Sequence, residues 1–143
     1  MIAGLIALAL AAAFFGAALY IHLAEHPARM LLDDANALAQ WSPSYVRAFS
    51  MQGGFAVASG VAGFLAAWLT GEWRWATGAV LMLANWPYTM FWILPLNHRL
   101  NAVAPSAAGP ESRQMLDRWN RLHGLRTVLS LLATVAFVWA ALA

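Results

Sequence analysis

The sequence predicts an all-α protein: a four-helix transmembrane bundle of up-down topology, with a short interfacial helix between helices one and two. Three observations lead there. The chain is 62% hydrophobic and only 10% charged, where a soluble domain carries about 25% charged residues. Its charges fall between four apolar runs, each long enough to cross a hydrocarbon core of about 30 Å at about 1.5 Å per residue. The connections between those runs are short, which favours antiparallel neighbours. The 143 residues make one domain.

Helix one spans about residues 1–25, and Met1 to Ala24 contains no Asp, Glu, Lys or Arg. It does not read as a cleaved signal peptide. It lacks a basic leader, and its apolar run exceeds the usual ~7–15 residues. Pro27 biases His26 away from helical geometry, so the helix should end or kink there. Residues 28–40 mix Met30, Leu31 and Leu38 with Asp33, Asp34 and Asn36, as an interfacial helix or ordered loop does. Ser42-Pro43 reads as a cap followed by proline at the first helical position, opening helix two over about 43–69. Its glycines Gly53, Gly54, Gly60 and Gly63 suit close helix contacts. Thr70-Gly71-Glu72 is a turn. Helix three, about 73–95, opens with Trp73 and Trp75 at an aromatic belt and carries Asn85 near its middle. An amide at that depth should face the bundle interior. Residues 97–112 read as a polar loop. Helix four, about 111–142, projects Arg113, Asp117, Arg118 and Arg121 into water.

The arginines set the orientation. Arg29, Arg47, Arg99, Arg113, Arg118, Arg121 and Arg126 lie on the side where helices one and three end, and Arg74 alone lies on the other. The positive-inside rule makes the arginine-rich side cytoplasmic and both termini non-cytoplasmic. The expected location is a bacterial plasma membrane; all basic residues being Arg is the compositional hint of a bacterial source. With no cysteine, disulfides, thiolate metal sites and Cys nucleophiles are excluded. A net charge of +2 gives no reason to expect nucleic acid. The expected partners are the lipid bilayer and a hydrophobic small-molecule substrate, with a homo-oligomer left open.

Three polar stretches fall at one depth. Counted from the outer surface, His22 lies about 33 Å in, Asn97 about 33 Å and His123 about 30 Å. Helices one, three and four can therefore line one cavity. His22 and His26 are four apart and share a helical face with Glu25. Imidazole and carboxylate suit iron, zinc or copper. His26, His123 and Glu25 would make a two-His, one-carboxylate set, with His22 as a further ligand. The same residues also read as interfacial polar groups bonded to arginine and water. A haem held by both His22 and His26 is excluded, because one turn apart they cannot reach opposite porphyrin faces; one axial His stays open. Arg126, one turn beyond His123, can pair with Glu25 or hold an anionic substrate oxygen, or simply snorkel. Asn85, Tyr88, Thr89 and Trp92 are spaced to share a face. They can line a pocket or bond between helices. Trp119 shares a face with His123.

These residues carry a resemblance. Glu25-His26-Pro27-Ala28, Asn85-Trp86-Pro87-Tyr88-Thr89, Pro95-Leu96-Asn97 and Trp119…His123…Arg126 stand in order along nearly the whole chain. In these the chain resembles the DUF1772 family of small four-helix membrane proteins, whose characterised members include fungal anthrone oxygenases. The resemblance implies Glu25, His26, Asn97, His123 and Arg126 as the working set, and places His22 and His98 outside the motifs. It implies an integral membrane oxidoreductase that oxygenates a lipophilic aromatic or quinone-like substrate near the cytoplasmic interface. His26, His123, Glu25 and Arg126 would be catalytic, and Asn85, Tyr88, Thr89, Asn97 and Trp119 would bind substrate. The cofactor is left open: none, since an anthrone anion reacts with oxygen directly, or a non-haem iron or copper, or haem. The alternative is a non-catalytic membrane module that binds a lipid, quinone, haem or partner protein, with the polar cluster as a structural network.

Overall fold

Charge-free runs with small residues every few positions form long helices that can approach closely. The computed structural model describes residues 2–143 and contains four such helices: α1 Ile2–Arg29, α2 Asp34–Thr70, α3 Trp73–Asn101 and α4 Pro110–Ala141. Each is long and apolar enough to cross a membrane. No strand occurs among the described residues. α1 and α3 each pack against both α2 and α4, so the helices stand as a square with α1 opposite α3.

The outside of the square is apolar. Leu5, Val61, Leu65, Val80, Phe91, Leu132 and Val135 all face outward. The inside is built from small residues and a few large aromatic side chains. At the end holding both termini, Ala7, Ala11, Phe14, Trp75, Ala133, Phe137 and Ala140 form one core. At the opposite end, Ile21, Trp41, Ile93, Leu96, Leu116 and Trp119 form a second. Gly78 shows how tight the first is: a Cβ there would stand 2.4 Å from Phe137 Cδ1. Trp75, expected at the aromatic belt, is buried in this core, and only Trp73 lies exposed. Gly71 closes α2 in the left-handed conformation, φ 72°, which only glycine adopts without strain.

The expected interfacial helix is continuous with α2. Asp33 caps it, accepting the Asn36 N–H at 2.9 Å, and the helix then runs unbroken through Pro43. Pro43 sits on the exposed face, where its ring crowds no neighbouring helix. The start expected at Ser42-Pro43 is thus nine residues late, because Asp33 and Asp34 supply an earlier cap and acidic first turn. α1 and α3 also outrun their expected ends, reaching Arg29 and Asn101. Both carry a proline near those ends, and both absorb it in the same way.

Candidate functional site

A proline in a helix interior removes one backbone bond and crowds the carbonyl one turn back. α1 meets Pro27 with a π-turn over Ile21–Glu25, in which the His26 N–H reaches back to Ile21 O. α3 meets Pro95 with a π-turn over Thr89–Ile93, in which the Leu94 N–H reaches back to Thr89 O. The wider turn moves the crowded carbonyl clear and keeps the helix going. It also inserts a residue into the helical register. As a result Ile21 and His26, five apart, are the residues buried across this turn, while His22 lies only half-buried. The expected common face of His22 and His26 is therefore not formed. His22 instead bonds Asn120 Oδ1 through Nδ1 at 3.2 Å and lies against Gly124.

α4 needs no such adjustment. Trp119, His123 and Arg126 follow i, i+4, i+7 spacing and are all buried on its inner face. The Trp119 indole is fixed by its Nε1–H, which donates to Asn97 Oδ1 at 2.8 Å. Asn97, expected in a loop, is held on the last turns of α3. The His123 ring stacks on that indole, with centroids 5.0 Å apart and planes 21° apart. Trp41 meets the indole edge-on at 6.0 Å, and His26 lies beside it at 6.3 Å. Trp119 is thus the surface on which both imidazoles gather.

Above this slab the bundle interior turns polar, between the two apolar cores. Gln52, Asn85, Thr89, His123 and Arg126 come from α2, α3 and α4, and each is buried. Each also presents an atom with no partner among the described residues: Gln52 Nε2, Asn85 Oδ1, Thr89 Oγ1, His123 Nδ1 and Arg126 Nε. Leaving one such atom unsatisfied costs about 1–3 kcal/mol. Two adjoining spaces receive them. One is lined by Gln52, Asn97, Trp119, His123 and Arg126 among others. The other is lined by Asn85, Trp86, Thr89 and Arg126. Arg126 and Phe49 border both. Each space is a slit with room for about one water. Tyr88 stands aside from them and donates its hydroxyl to Leu122 O at 2.8 Å.

Glu25 and His26 do not reach this interior. Glu25 pairs with Arg29 at 2.6 Å and accepts from Gln40 at 3.3 Å and from Ser44. This network ties the end of α1 to the start of α2. His26 Nε2 lies 3.6 Å from Asp117, too far for a hydrogen bond, and both its ring nitrogens lack partners. The set His26, His123 and Glu25 does not assemble as metal ligands here. Among the described residues no three His, Asp or Glu side chains stand together in a way that could hold an ion.

Sequence reasoning missed Gln52, the contribution of α2 to the site. It sits in the charge-free run of that helix, where the rule that turned Asn85 inward applies equally. It also missed Trp41, the aromatic wall beside Trp119. Its signal was the helical spacing of Leu38, Trp41 and Tyr45 within a stretch read as interfacial.

A family model described as anthrone oxygenase matches residues 41–136. The match contains Asn85, Tyr88, Thr89, Asn97, Trp119, His123 and Arg126, and it starts after Glu25 and His26. No curated protein and no solved structure matches the chain.

Proposed function

Because the chain belongs to the anthrone oxygenase family, we propose that it is a multi-pass membrane oxygenase acting on a lipophilic, anthrone-like aromatic. The observation that carries this reading is the buried pair of His123 and Arg126. They lie one turn apart on one helix face, with His123 Nδ1 and Arg126 Nε unpartnered. That pairing of a free base with a buried cation suits carbon acids that ionise to an oxyanion.

In the proposed reaction His123 removes a proton from the ring methylene of the anthrone. The charge moves onto the ketone oxygen, where Arg126 holds it. The anion passes one electron to dioxygen, and the two radicals combine into a carbon–peroxide bond. Protonation gives the hydroperoxide. Loss of the second methylene proton, with O–O cleavage, releases water and leaves a ketone. One dioxygen is consumed and one water is formed for each quinone. Trp119, held by Asn97, supplies the flat surface on which the His123 ring stacks, and so orients the proposed base. Glu25 acts from outside the pocket, by fixing the α1–α2 elbow with Gln40 and Ser44, and His26 lies beside Trp119.

The proposed orientation puts the arginine-rich end, with Arg99, Arg118 and Arg121, in the cytoplasm of a bacterial cell. The substrate then enters from the bilayer, between α2 and α3 past Trp86 and Phe49, whose rings meet edge-on at 6.1 Å.

The test is product formation by detergent-purified protein. Anthrone should disappear with equimolar oxygen uptake and appear as anthraquinone. Arg126→Gln should slow turnover by about 10²–10³-fold, the usual effect of losing an oxyanion donor. A rate no higher than in protein-free detergent would end the oxygenase reading and leave a binding module.

A further inference from the structure

The arginine-rich end carries a second cavity, on the outside of the bundle. A groove of about 220 Å³ runs between α1 and α2. Its apolar sides are Ala17 and Ile21 from α1 and Ala48 and Met51 from α2. Tyr20 and Met51 stand exposed along it, so it opens on the surroundings of the bundle, which for membrane-spanning helices are lipid. One end is charged. Arg47 lines the groove there and is the last charged residue before the charge-free run 48–71. Arg29, Arg74, Arg99 and Arg113 each pair with a carboxylate; among the described residues Arg47 pairs with none. Glu25 also lines the groove, but Arg29 answers its charge at 2.6 Å, and Gln40 and Ser44 donate to it. What the groove offers is therefore one free guanidinium above apolar sides.

We propose that this groove binds one anionic phospholipid, with its phosphate on Arg47 and one acyl chain along Ala17, Ile21, Ala48 and Met51. Apolar sides that end in a free cation match an amphiphile with an anionic head. The guanidinium fork holds two phosphate oxygens at once, and basic pockets between membrane helices are where anionic headgroups settle. Tyr20 adds an interfacial aromatic at the rim. Arg118 and Arg121 are exposed too, yet neither lines this groove, so they attract anionic lipid without seating it. Ile21 and Ala48 also line the slit that holds His123 and Arg126. The bound chain thus backs a wall shared with the polar interior, and it does so whatever reaction that interior performs.

Native mass spectrometry of the full chain, released from neutral detergent, counts bound lipid without any turnover. The probes are phosphatidylglycerol, phosphatidylcholine with the same acyl chains, and glycerol phosphate as the head without chains. Wild type should take up one phosphatidylglycerol saturably and prefer it to phosphatidylcholine by about tenfold. Arg47→Gln should bring that ratio to about one. Arg121→Gln, which removes an equal charge away from the groove, should keep it. Ala17→Phe, which puts a ring into the groove, should lower the affinity for both lipids by about tenfold or more while the bundle still unfolds at the wild-type temperature. Arg47→Met serves the same comparison should Arg47→Gln fail to fold. Glycerol phosphate should not bind. Equal wild-type affinities, a preference that survives in both Arg47 variants, an equal loss in Arg121→Gln, or uptake by Ala17→Phe as in wild type would each overturn the proposal. Binding of glycerol phosphate as tightly as the lipid would overturn it as well, because the apolar sides would then contribute nothing.

Discussion

The bond from Trp119 Nε1–H to Asn97 Oδ1 offers a measurable test of how the site is held. At 2.8 Å and fully buried, it joins α4 to α3 and sets the plane on which His123 stacks. Asn97→Leu removes the acceptor and strands a buried indole N–H. Trp119→Phe removes the donor and strands a buried amide oxygen. A stranded buried group costs about 1–3 kcal/mol. Interhelical bonds inside membranes average about 0.6 kcal/mol and reach about 1.7. Asn97→Leu should therefore cost about 1–2 kcal/mol. Trp119→Phe should cost more, since it also loses the contacts of the larger ring with Trp41 and His123. The double variant strands nothing, so its loss should fall short of the sum of the singles by about 1 kcal/mol. Equilibrium unfolding in detergent, followed by helical circular dichroism, measures all three. Strict additivity would mean that the two side chains do not act as a pair, and that Trp119 is held by packing alone.

Four further outcomes follow from the geometry. Gly78→Ala should cost about 1–3 kcal/mol by driving a methyl into Phe137, whereas Gly53→Ala, whose Cβ would lie 3.4 Å from Trp86, should be near neutral; thermal unfolding compares them. Arg113 donates to Met30 O at 2.9 Å and Leu32 O at 2.6 Å and pairs with Asp34; Arg113→Met should speed protease cleavage at residues 30–33, with about 1 kcal/mol lost at this partly exposed site. The Asp33 carboxyl is held below its ordinary 3.8 by the Asn36 backbone N–H and then the Asn36 side chain. Its capping is thus fully present above 3.8 and is lost as pH falls through the lower folded value, so amide exchange in the first turn of α2 should rise on that acidification and be insensitive to it in Asp33→Ala. A reporter fused after Ala143 should read as non-cytoplasmic, and a cytoplasmic reading would overturn the proposed orientation.

The bundle was legible because membrane spans are written in composition and length. The α4 face was legible because Trp119, His123 and Arg126 keep plain helical spacing. α1 and α3 were harder. Their prolines announce a break, yet the chain answers with π-turns, and no apolar period encodes an inserted residue. That one insertion separates His26 from His22 and sends Glu25 to Arg29 and Gln40 at the elbow. The start of α2 was misplaced for a different reason. Two capping signals lie nine residues apart, at Asp33 and Ser42, and a helix that begins at the first simply carries the second inside it. Gln52 was overlooked in a helix read for its glycines. The unpartnered atoms around Arg126 come from three helices, so only the assembled bundle shows that they face one place.

Oxygen uptake with an anthrone, by wild type and four histidine variants side by side, tests the central claim most directly. His123→Ala should lose about 10²–10⁴-fold, the usual effect of removing a general base, while it still inserts and folds. His26→Ala should lose less, because its ring lies beside Trp119 and outside the two spaces. His22→Ala and His98→Ala should stay near wild type. Equal uptake by wild type and His123→Ala would contradict the account.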